Sequence, residues 1–187
     1  MLSPGGTALT REDYLANLVG RSDAEIFGSR LGPQADVAAL TEERVRRYVE
    51  LAGDGSTVSE DARAAVAAAA ARVRVGVVTN ALHAEVVAVL RGARLEDFVA
   101  TFVCAEDVSR LKPDPEPYAL ACARLKVPAA RAVAIEDTPA GVAAAKAAGL
   151  RCAALTTTVP RARLAAADLL LDTLDPHAVA NLLGLRE

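Results

Sequence analysis

From about residue 59 onward, the chain alternates short apolar runs with longer stretches of helix-forming residues. Strands that are apolar along their whole length are buried on both faces, and their alternation with helices is typical of a parallel sheet with helices on each side. The predicted fold class is therefore α/β, a three-layer Rossmann-like parallel sheet. The predicted strands are Val73–Val78, Phe98–Cys104, Ala132–Ile135, Cys152–Leu155 and Leu169–Leu171, and helices are predicted at about 59–71, 82–92, 115–126, 139–148, 160–166 and 176–184.

The segment before about Gly53 has a different pattern, with no visible strand. Residues 9–20, 22–32 and 40–53 are amphipathic and predict short helices that open at a Thr or Ser and end at a Gly. Thr10 and Ser22 each precede an acidic residue by three positions, as in a capping box. The change of pattern predicts a helical unit over residues 1–55 and an α/β unit over residues 56–187.

Composition excludes several classes of function. A net charge of −3 with 3% aromatic residues gives no positive footprint or stacking surface for nucleic acid. No apolar run is long enough to cross a bilayer, and the start of the chain lacks the basic-then-apolar pattern of a secretory signal. We therefore expect a cytoplasmic protein with no membrane partner, as a monomer or weak homodimer. The chain's three cysteines lack C-x-x-C spacing, which favours buried free thiols over disulfides or a zinc site.

Polar side chains follow the first three predicted strands at the point where each strand ends. Thr79 and Asn80 follow the first, Lys112 lies on the loop that leaves the second, and Glu136 and Asp137 follow the third. Ligands of open parallel sheets bind outside the carboxyl ends of the strands. We therefore expect these side chains to converge on one rim of the sheet.

Taken singly, most of these residues also have a structural interpretation. Thr79 fits a cap of the next helix, Lys112 fits a solvated loop position, and Asp137 or Thr138 fits an N-cap. Glu136 is harder to explain, because a second carboxylate gains little at a cap and repels the first unless a cation lies between them. Mg²⁺ takes hard oxygen ligands, and a lysine with hydroxyl and backbone donors suits a phosphoryl group. The rim thus predicts a magnesium and phosphate site.

Three segments in this order resemble the second, third and fourth motifs of the haloacid dehalogenase superfamily: "VVTNA", "RLKPDPEPY" and "AIEDTPAGVAAAKAAGL". The most similar branch is the one that contains β-phosphoglucomutase and phosphoglycolate phosphatase. The resemblance covers nearly the whole chain from residue 8, with the N-terminal helices similar to part of that branch's small cap. It implies Mg²⁺-dependent phosphoryl transfer on a small phosphorylated metabolite such as a sugar phosphate.

The resemblance also implies a role for each rim residue. Thr79 would hydrogen-bond the transferring phosphoryl group with Asn80 beside it, and Lys112 would bridge that group and the nucleophile. Asp137 would bind magnesium, with Glu136 as a direct or water-mediated ligand.

A second set of residues, in the cap, matches a stretch that faces the active site in this branch. It comprises Gly20, Arg21 and Ser22. Arg21 would contact a substrate phosphate or sugar, although an ordinary surface arginine is the alternative.

The first motif of the family, a strand ending in D-x-D-G-T with the nucleophilic aspartate, has no match in this sequence. No D-x-D occurs in the 187 residues, and "AGDGST" around Asp54 is predicted to be a turn, because no apolar strand precedes it. In the family this strand lies between those ending at Thr79 and Glu136. We therefore expect the first core strand to be missing, leaving either a gap with unpaired backbone groups or two strands that close up.

Three interpretations remain open at this stage. The chain is a truncated or mis-started enzyme, a non-catalytic relative that binds a phosphorylated ligand, or a core completed by another segment or a partner chain. A nucleotide-binding domain is disfavoured, because no G-x-G-x-x-G follows a strand. In each case we expect the 187 residues alone to be inactive towards an aryl phosphate. The substrate, and the choice between phosphatase and mutase, stay undetermined.

Overall fold

The computed structural model describes residues 10–18 and 21–184. The N-terminal part consists of helices α1 (Arg11–Asn17), α2 (Asp23–Leu31) and α3 (Val37–Ala52). Between residues 10 and 52, the described positions form no strand, as expected. No helix among the described residues has both the length and the apolar character that a membrane crossing requires.

The predicted caps of the first two helices are present. The Thr10 hydroxyl accepts a hydrogen bond from the Asp13 N–H, and Ser22 forms a reciprocal capping box with Glu25. The third helix begins earlier than its predicted segment, at Val37, because the Asp36 side chain caps it by accepting from the Ala39 N–H at 3.0 Å.

The remaining chain alternates strands and helices. The strands are β1 (Gly76–Val78), β2 (Thr101–Val103), β3 (Val133–Glu136), β4 (Arg151–Leu155) and β5 (Leu169–Leu171). The helices are α4 (Glu60–Ala70), α5 (His83–Gly92), α6 (Glu116–Leu125), α7 (Pro139–Ala147) and α8 (Pro176–Leu182). All strand pairs are parallel, which confirms the predicted α/β class.

One predicted helix is wrong. Residues 160–166 contain only a short 3₁₀ turn, Arg161–Leu164, after an extended Pro160. The fully buried Leu164 anchors this turn. Four residues later the Asp168 N–H is already bonded to the Cys152 carbonyl at 2.8 Å, so little chain is left for an α-helix.

The strands form two sheets among the described residues: β1 pairs with β2, and β3, β4 and β5 pair in that order. β1 and β3 therefore do not pair with each other. Each sheet has its own buried cluster. Tyr118, Val142 and Leu164 belong to the cluster beside β3 and β4, and Val86 and Leu90 belong to the cluster beside β1 and β2.

The turn that joins α3 to α4 is packed tightly against the end of α5. Gly55 has φ +76°, and a Cβ there would lie 2.2 Å from the Ala93 nitrogen, so only glycine fits. Arg63 holds the turn, because its guanidinium donates to the Gly55 carbonyl at 2.5 Å and to the Ala93 carbonyl at 2.7 Å.

The N-terminal helices also contact the α/β part directly. Arg44 of α3 donates two hydrogen bonds to the buried carboxylate of Glu85 in α5, at 2.7 and 3.0 Å, and a third to Asp23. Arg163 donates to the Leu15 carbonyl of α1 at 3.0 Å. These bonds join the N-terminal helices to the α/β part of the chain.

Candidate functional site

Lys112 is the centre of the rim. Its ammonium donates to the Val78 carbonyl at 2.9 Å and to Glu136 Oε1 at 2.5 Å. The side chains of Lys112 and Glu136 are 11% and 5% exposed, so the ion pair is largely shielded from water. The structure thus brings together the lysine and one of the carboxylates that the sequence predicts at this rim.

This ion pair also spans the break between the two sheets. Just before β1, the Val75 carbonyl accepts a hydrogen bond from the Ala100 N–H, and just after β1 the Thr79 N–H donates to the Val103 carbonyl of β2. Because alternate residues of a strand direct their backbone groups to opposite edges, the Val78 carbonyl faces away from β2. Lys112 therefore links the free edge of β1 to Glu136 at the end of β3.

Asn80 holds the backbone of Lys112 in place. The Asn80 carboxamide donates to the Lys112 carbonyl at 3.2 Å and accepts from the Lys112 N–H at 3.0 Å. This pair of bonds joins the loop after β1 to the loop after β2. The predicted contact of Asn80 with substrate stays a prediction.

Glu136 is fixed by more than the lysine. The Tyr118 hydroxyl donates to Glu136 Oε1 at 2.5 Å, and the Lys112 ammonium lies 5.6 Å from the centre of the Tyr118 ring. Burial, followed by the negative charge of Glu136, raises the pKa of Tyr118 far above its usual value, so this hydroxyl stays a donor. Tyr118 belongs to α6, so this helix also helps to fix the Glu136 carboxylate.

Gly141 makes room for the Glu136 carboxylate. A Cβ at this position, in the first turn of α7, would lie 1.8 Å from Glu136 Oε2 and 2.0 Å from its carboxyl carbon. The glycine of the "EDTPAG" segment is therefore required for the carboxylate to lie against the helix start, where the helix dipole favours a negative charge.

Asp137 points to a different partner from Glu136. Its Oδ2 accepts a hydrogen bond from the Thr158 hydroxyl at 2.6 Å, on the loop after β4. The cap of α7 is the neighbouring Thr138, whose hydroxyl accepts from the Gly141 N–H at 3.1 Å. Asp137 is half-buried and does not cap the helix, so helix capping does not account for a carboxylate at this position.

Thr79 begins the loop after β1. Its hydroxyl oxygen accepts from the Ala81 N–H at 3.0 Å, a bond within the turn that leaves the hydroxyl proton able to donate to a ligand. The N-cap position of α5 is occupied by Leu82, so the predicted alternative that Thr79 caps this helix is wrong.

Two predicted cap residues stand apart from this cluster. Arg21 is exposed, and its backbone N–H donates to the Leu18 carbonyl. Gly20 lies outside the described residues. The role of Arg21 in substrate binding stays a prediction.

Asp54 forms a turn, as the sequence predicts. Its Oδ1 accepts from the Ser56 N–H at 2.8 Å, which lowers the pKa of this carboxyl, and the segment around it has no strand. It is not presented at the end of a strand and so is not placed like the D-x-D nucleophile.

Three residues of the site escaped sequence reasoning: Tyr118, Gly141 and Thr158. Tyr118 and Gly141 lie inside the quoted motifs, each in the first turns of the helix that follows a predicted rim residue, and this position could have indicated contact with the rim. Thr158 lies in the run "TTTVP", where nothing in the sequence distinguishes it from its two neighbours.

The donor atoms of this rim suit magnesium only in part. Asp137 offers a carboxylate oxygen beside one engaged by Thr158, which is a hard donor of the kind Mg²⁺ takes. Glu136 Oε1 is engaged by Lys112 and Tyr118, and its Oε2 lies against Gly141. The described rim therefore offers Mg²⁺ one carboxylate for direct ligation, that of Asp137, while Glu136 is engaged by other side chains.

The fold is a parallel α/β architecture with a lysine and two carboxylates at the carboxyl ends of its strands, where ligands of such sheets bind. The chain belongs to the haloacid dehalogenase-like hydrolases, whose family model matches residues 8–149. The predicted family is thereby confirmed.

Several curated relatives of this chain are phosphatases by name. Validoxylamine A 7′-phosphate phosphatase of Streptomyces hygroscopicus subsp. limoneus is 44% identical over 103 residues, which cover 55% of this chain and 48% of the relative. The plasmid phosphoglycolate phosphatase of Cupriavidus necator is 32% identical over 156 residues, or 80% of this chain and 68% of the relative. The chain thus spans about half to two thirds of their lengths.

A solved structure has the same fold. A mutant of CbbY from Rhodobacter sphaeroides, in complex with xylulose-(1,5)bisphosphate, superposes with a TM-score of 0.78 at 29% sequence identity. The match covers 90% of this chain and 80% of that one.

Proposed function

We propose that this chain carries the phosphate-binding and metal-binding part of a Mg²⁺-dependent phosphoryl-transfer site that acts on a small phosphorylated metabolite. The observation that carries the proposal is the shielded Lys112–Glu136 pair beside Asp137 at the ends of β1 and β3. Removing a cation and a carboxylate from water costs desolvation free energy. A shielded ammonium at this rim is explained if it binds a dianionic phosphoryl group.

Each side chain has a defined part in this proposal. The Lys112 ammonium, fixed by Asn80 and Glu136, neutralises a phosphoryl oxygen. The Thr79 hydroxyl donates to a second oxygen, since its own oxygen already accepts from Ala81. Asp137, with Glu136 through water, holds the metal. The ion would supply charge neutralisation to the phosphoryl group and orient it for attack.

The nucleophile is not among these residues. No aspartate pair with D-x-D spacing occurs in the 187 residues, and Asp54 is part of a turn. In the resembled family the attacking aspartate ends a strand between the strands equivalent to β1 and β3. The split between β1 and β3 in the described residues supports the proposal that this position is empty.

The split sheet also favours a second candidate function. Two parallel strands with facing unpaired edges can accept an added strand, because each edge offers a row of backbone donors and acceptors. Another segment or a partner chain that supplied a strand ending in D-x-D would complete both sheet and site. A binding or regulatory module that keeps only the phosphate site is the remaining alternative.

The names of the relatives support a proposal for the substrate class. Their names indicate sugar-like and small organic phosphates, which fits a sugar phosphate here. We propose further that residues 1–55 act as a partial helical cap over an α/β core of residues 56–187, and that the protein is cytoplasmic.

An activity assay tests the proposal that these residues lack a nucleophile. The 187-residue chain with Mg²⁺ and p-nitrophenyl phosphate should show no turnover, because positioning of the phosphate without a nucleophile leaves little of the acceleration. Magnesium-dependent turnover that Asp137→Ala abolishes would contradict this, and Asp54→Asn would then be the first variant to examine for the missing nucleophile.

A further inference from the structure

A second group of potential ligands lies at the outer part of the same rim, between the ends of β1 and β2. His83 opens α5, Cys104 directly follows β2, and Asp107 ends the 3₁₀ turn after it. One nitrogen, one sulfur and one oxygen of these side chains lie within 4.8 Å of one another. Neither the family motifs nor the proposed phosphate site uses them.

The potential ligand atoms of His83, Cys104 and Asp107 lie close to one another. His83 Nε2 lies 2.8 Å from Asp107 Oδ2, and the imidazole ring is held edge-on to Phe102 with centroids 5.5 Å apart. The Cys104 side chain is fully buried, Asp107 is 11% exposed and His83 is 42% exposed. An ion could therefore reach the group from the His83 side and find the sulfur beneath it.

Neighbouring residues hold the aspartate of this group in place. Arg124 donates to Asp107 Oδ1 at 2.6 Å, and the backbone N–H of Cys104 donates to Asp107 Oδ2 at 2.8 Å. A donor on each oxygen thus sets the orientation of this carboxylate, as outer-shell donors do at metal sites. Glu106 accepts from the backbone N–H of His83 at 3.0 Å, and its Oε1 lies 3.9 Å from His83 Nδ1, beyond hydrogen-bond distance.

We propose that His83, Cys104 and Asp107 form a binding site for one Zn²⁺-like divalent ion, with water as a fourth ligand. Nitrogen, sulfur and carboxylate oxygen are the donors that Zn²⁺ takes, and three protein ligands with an open position give four-coordination. Binding replaces the thiol proton of Cys104 with the metal and releases it to solvent. The His83 proton then resides on Nδ1, on the side of Glu106, and Nε2 binds the ion.

The competing interpretation is purely structural. In that case His83 and Asp107 form only a hydrogen bond, and Cys104 is a small core residue, as free cysteines usually are. The two interpretations differ in what happens when metal is added, because only the first gives a metal–sulfur bond.

Titration of the 187-residue chain with Co²⁺, as a spectroscopic substitute for Zn²⁺, distinguishes the metal-site interpretation from the structural one. One equivalent should produce a near-ultraviolet sulfur-to-cobalt charge-transfer band and visible bands of a four-coordinate ion, and Zn²⁺ should displace it. Cys104→Ser should lose the charge-transfer band. His83→Gln, at a half-exposed position, should weaken binding by more than the tenfold to hundredfold, roughly, that outer-shell changes cost.

Matched variants keep the test decisive. Cys122→Ser alters a buried cysteine on α6, away from the cluster, and should leave the spectrum unchanged, with circular dichroism showing that each variant is folded. No charge-transfer band in the wild-type chain, or a band that survives Cys104→Ser and disappears in Cys122→Ser, would overturn the proposal. Mg²⁺ should not displace the cobalt, so this site and the Asp137 site are distinguishable.

Discussion

Lys112 connects the parts of the rim at the level of single residues. Its ammonium replaces water around the Glu136 carboxylate and also satisfies the Val78 carbonyl at the free edge of β1. Removal of one member of a shielded ion pair leaves the other charge without compensation, which costs more than the pair itself contributes.

We expect Lys112→Met to lower the free energy of unfolding by about 3–5 kcal/mol, because Glu136 would lose its counter-charge in a shielded position. Urea unfolding of the single variants Lys112→Met and Glu136→Gln, and of the double variant, measures this. The double variant should be more stable than the sum of the single losses predicts.

The surface pair Lys146–Asp168 is the control for that cycle. Its side chains lie at a similar separation but are each 38% exposed, so Lys146→Met should lose only a small part of what Lys112→Met loses. Equal losses at both lysines would show that the Lys112 pair is not shielded in solution.

The sequence predicted which polar residues reach the rim but not how they pair. Parallel topology places Lys112 and Glu136 at one edge, and this is enough to expect them close together. That Asn80 would hold the Lys112 backbone, and that Asp137 would turn to Thr158, depends on loop conformations that strand patterns do not specify. The cysteines were expected to have no metal role, since C-x-x-C spacing is absent, but His83 and Asp107 reach Cys104 only through the fold.

Among the elements, the start of α7 is where local sequence and site depend on each other most closely. Pro139 occupies the first turn, Thr138 caps it, and Gly141 provides the space that Glu136 fills. Residues 136–141 therefore end β3, start α7 and provide the space for the Glu136 carboxylate.

We expect Gly141→Ala to destabilise the protein by about 1–3 kcal/mol, although alanine is the better helix former, because the new methyl group overlaps the Glu136 carboxylate. Thermal or urea unfolding measures the effect. Gly28→Ala in α2 is the matched change, since no atom lies within 4 Å of the added Cβ, and it should raise stability by up to about 1 kcal/mol. Stabilisation by both changes would contradict the packing of Glu136 against α7.

Elements with a strong pattern were predictable, and those set by tertiary contacts were not. The strands and most of the helices that flank them occur where apolar runs and caps predict them, although β1 and β2 are shorter than predicted. The 160–166 segment has helix-forming composition, but the buried Leu164 and the early bond of Asp168 to β4 limit it to a turn. Propensity was outweighed there by the short connection between β4 and β5.

At the scale of the whole molecule, helices α1 to α3 precede an α/β part, and the strands of that part form two separate sheets among the residues described. Arg44 joins α3 to α5, Arg63 holds the turn before α4 against the end of α5, and Lys112 is a polar link between the sheets. We propose that the rim holds a phosphate and a metal, in a sequence of 187 residues that contains no D-x-D.

Calorimetric titration of the 187-residue chain with Mg²⁺, alone and with inorganic phosphate, tests this claim most directly. We predict weak Mg²⁺ binding, because Asp137 is the one carboxylate of the described rim left for direct ligation, and we predict that phosphate strengthens it. Asp137→Asn should remove the heat, whereas Asp172→Asn, at an exposed position 76% accessible to solvent, should not. Heat that persists in Asp137→Asn, or no binding of either Mg²⁺ or phosphate by the wild-type chain, would contradict the account.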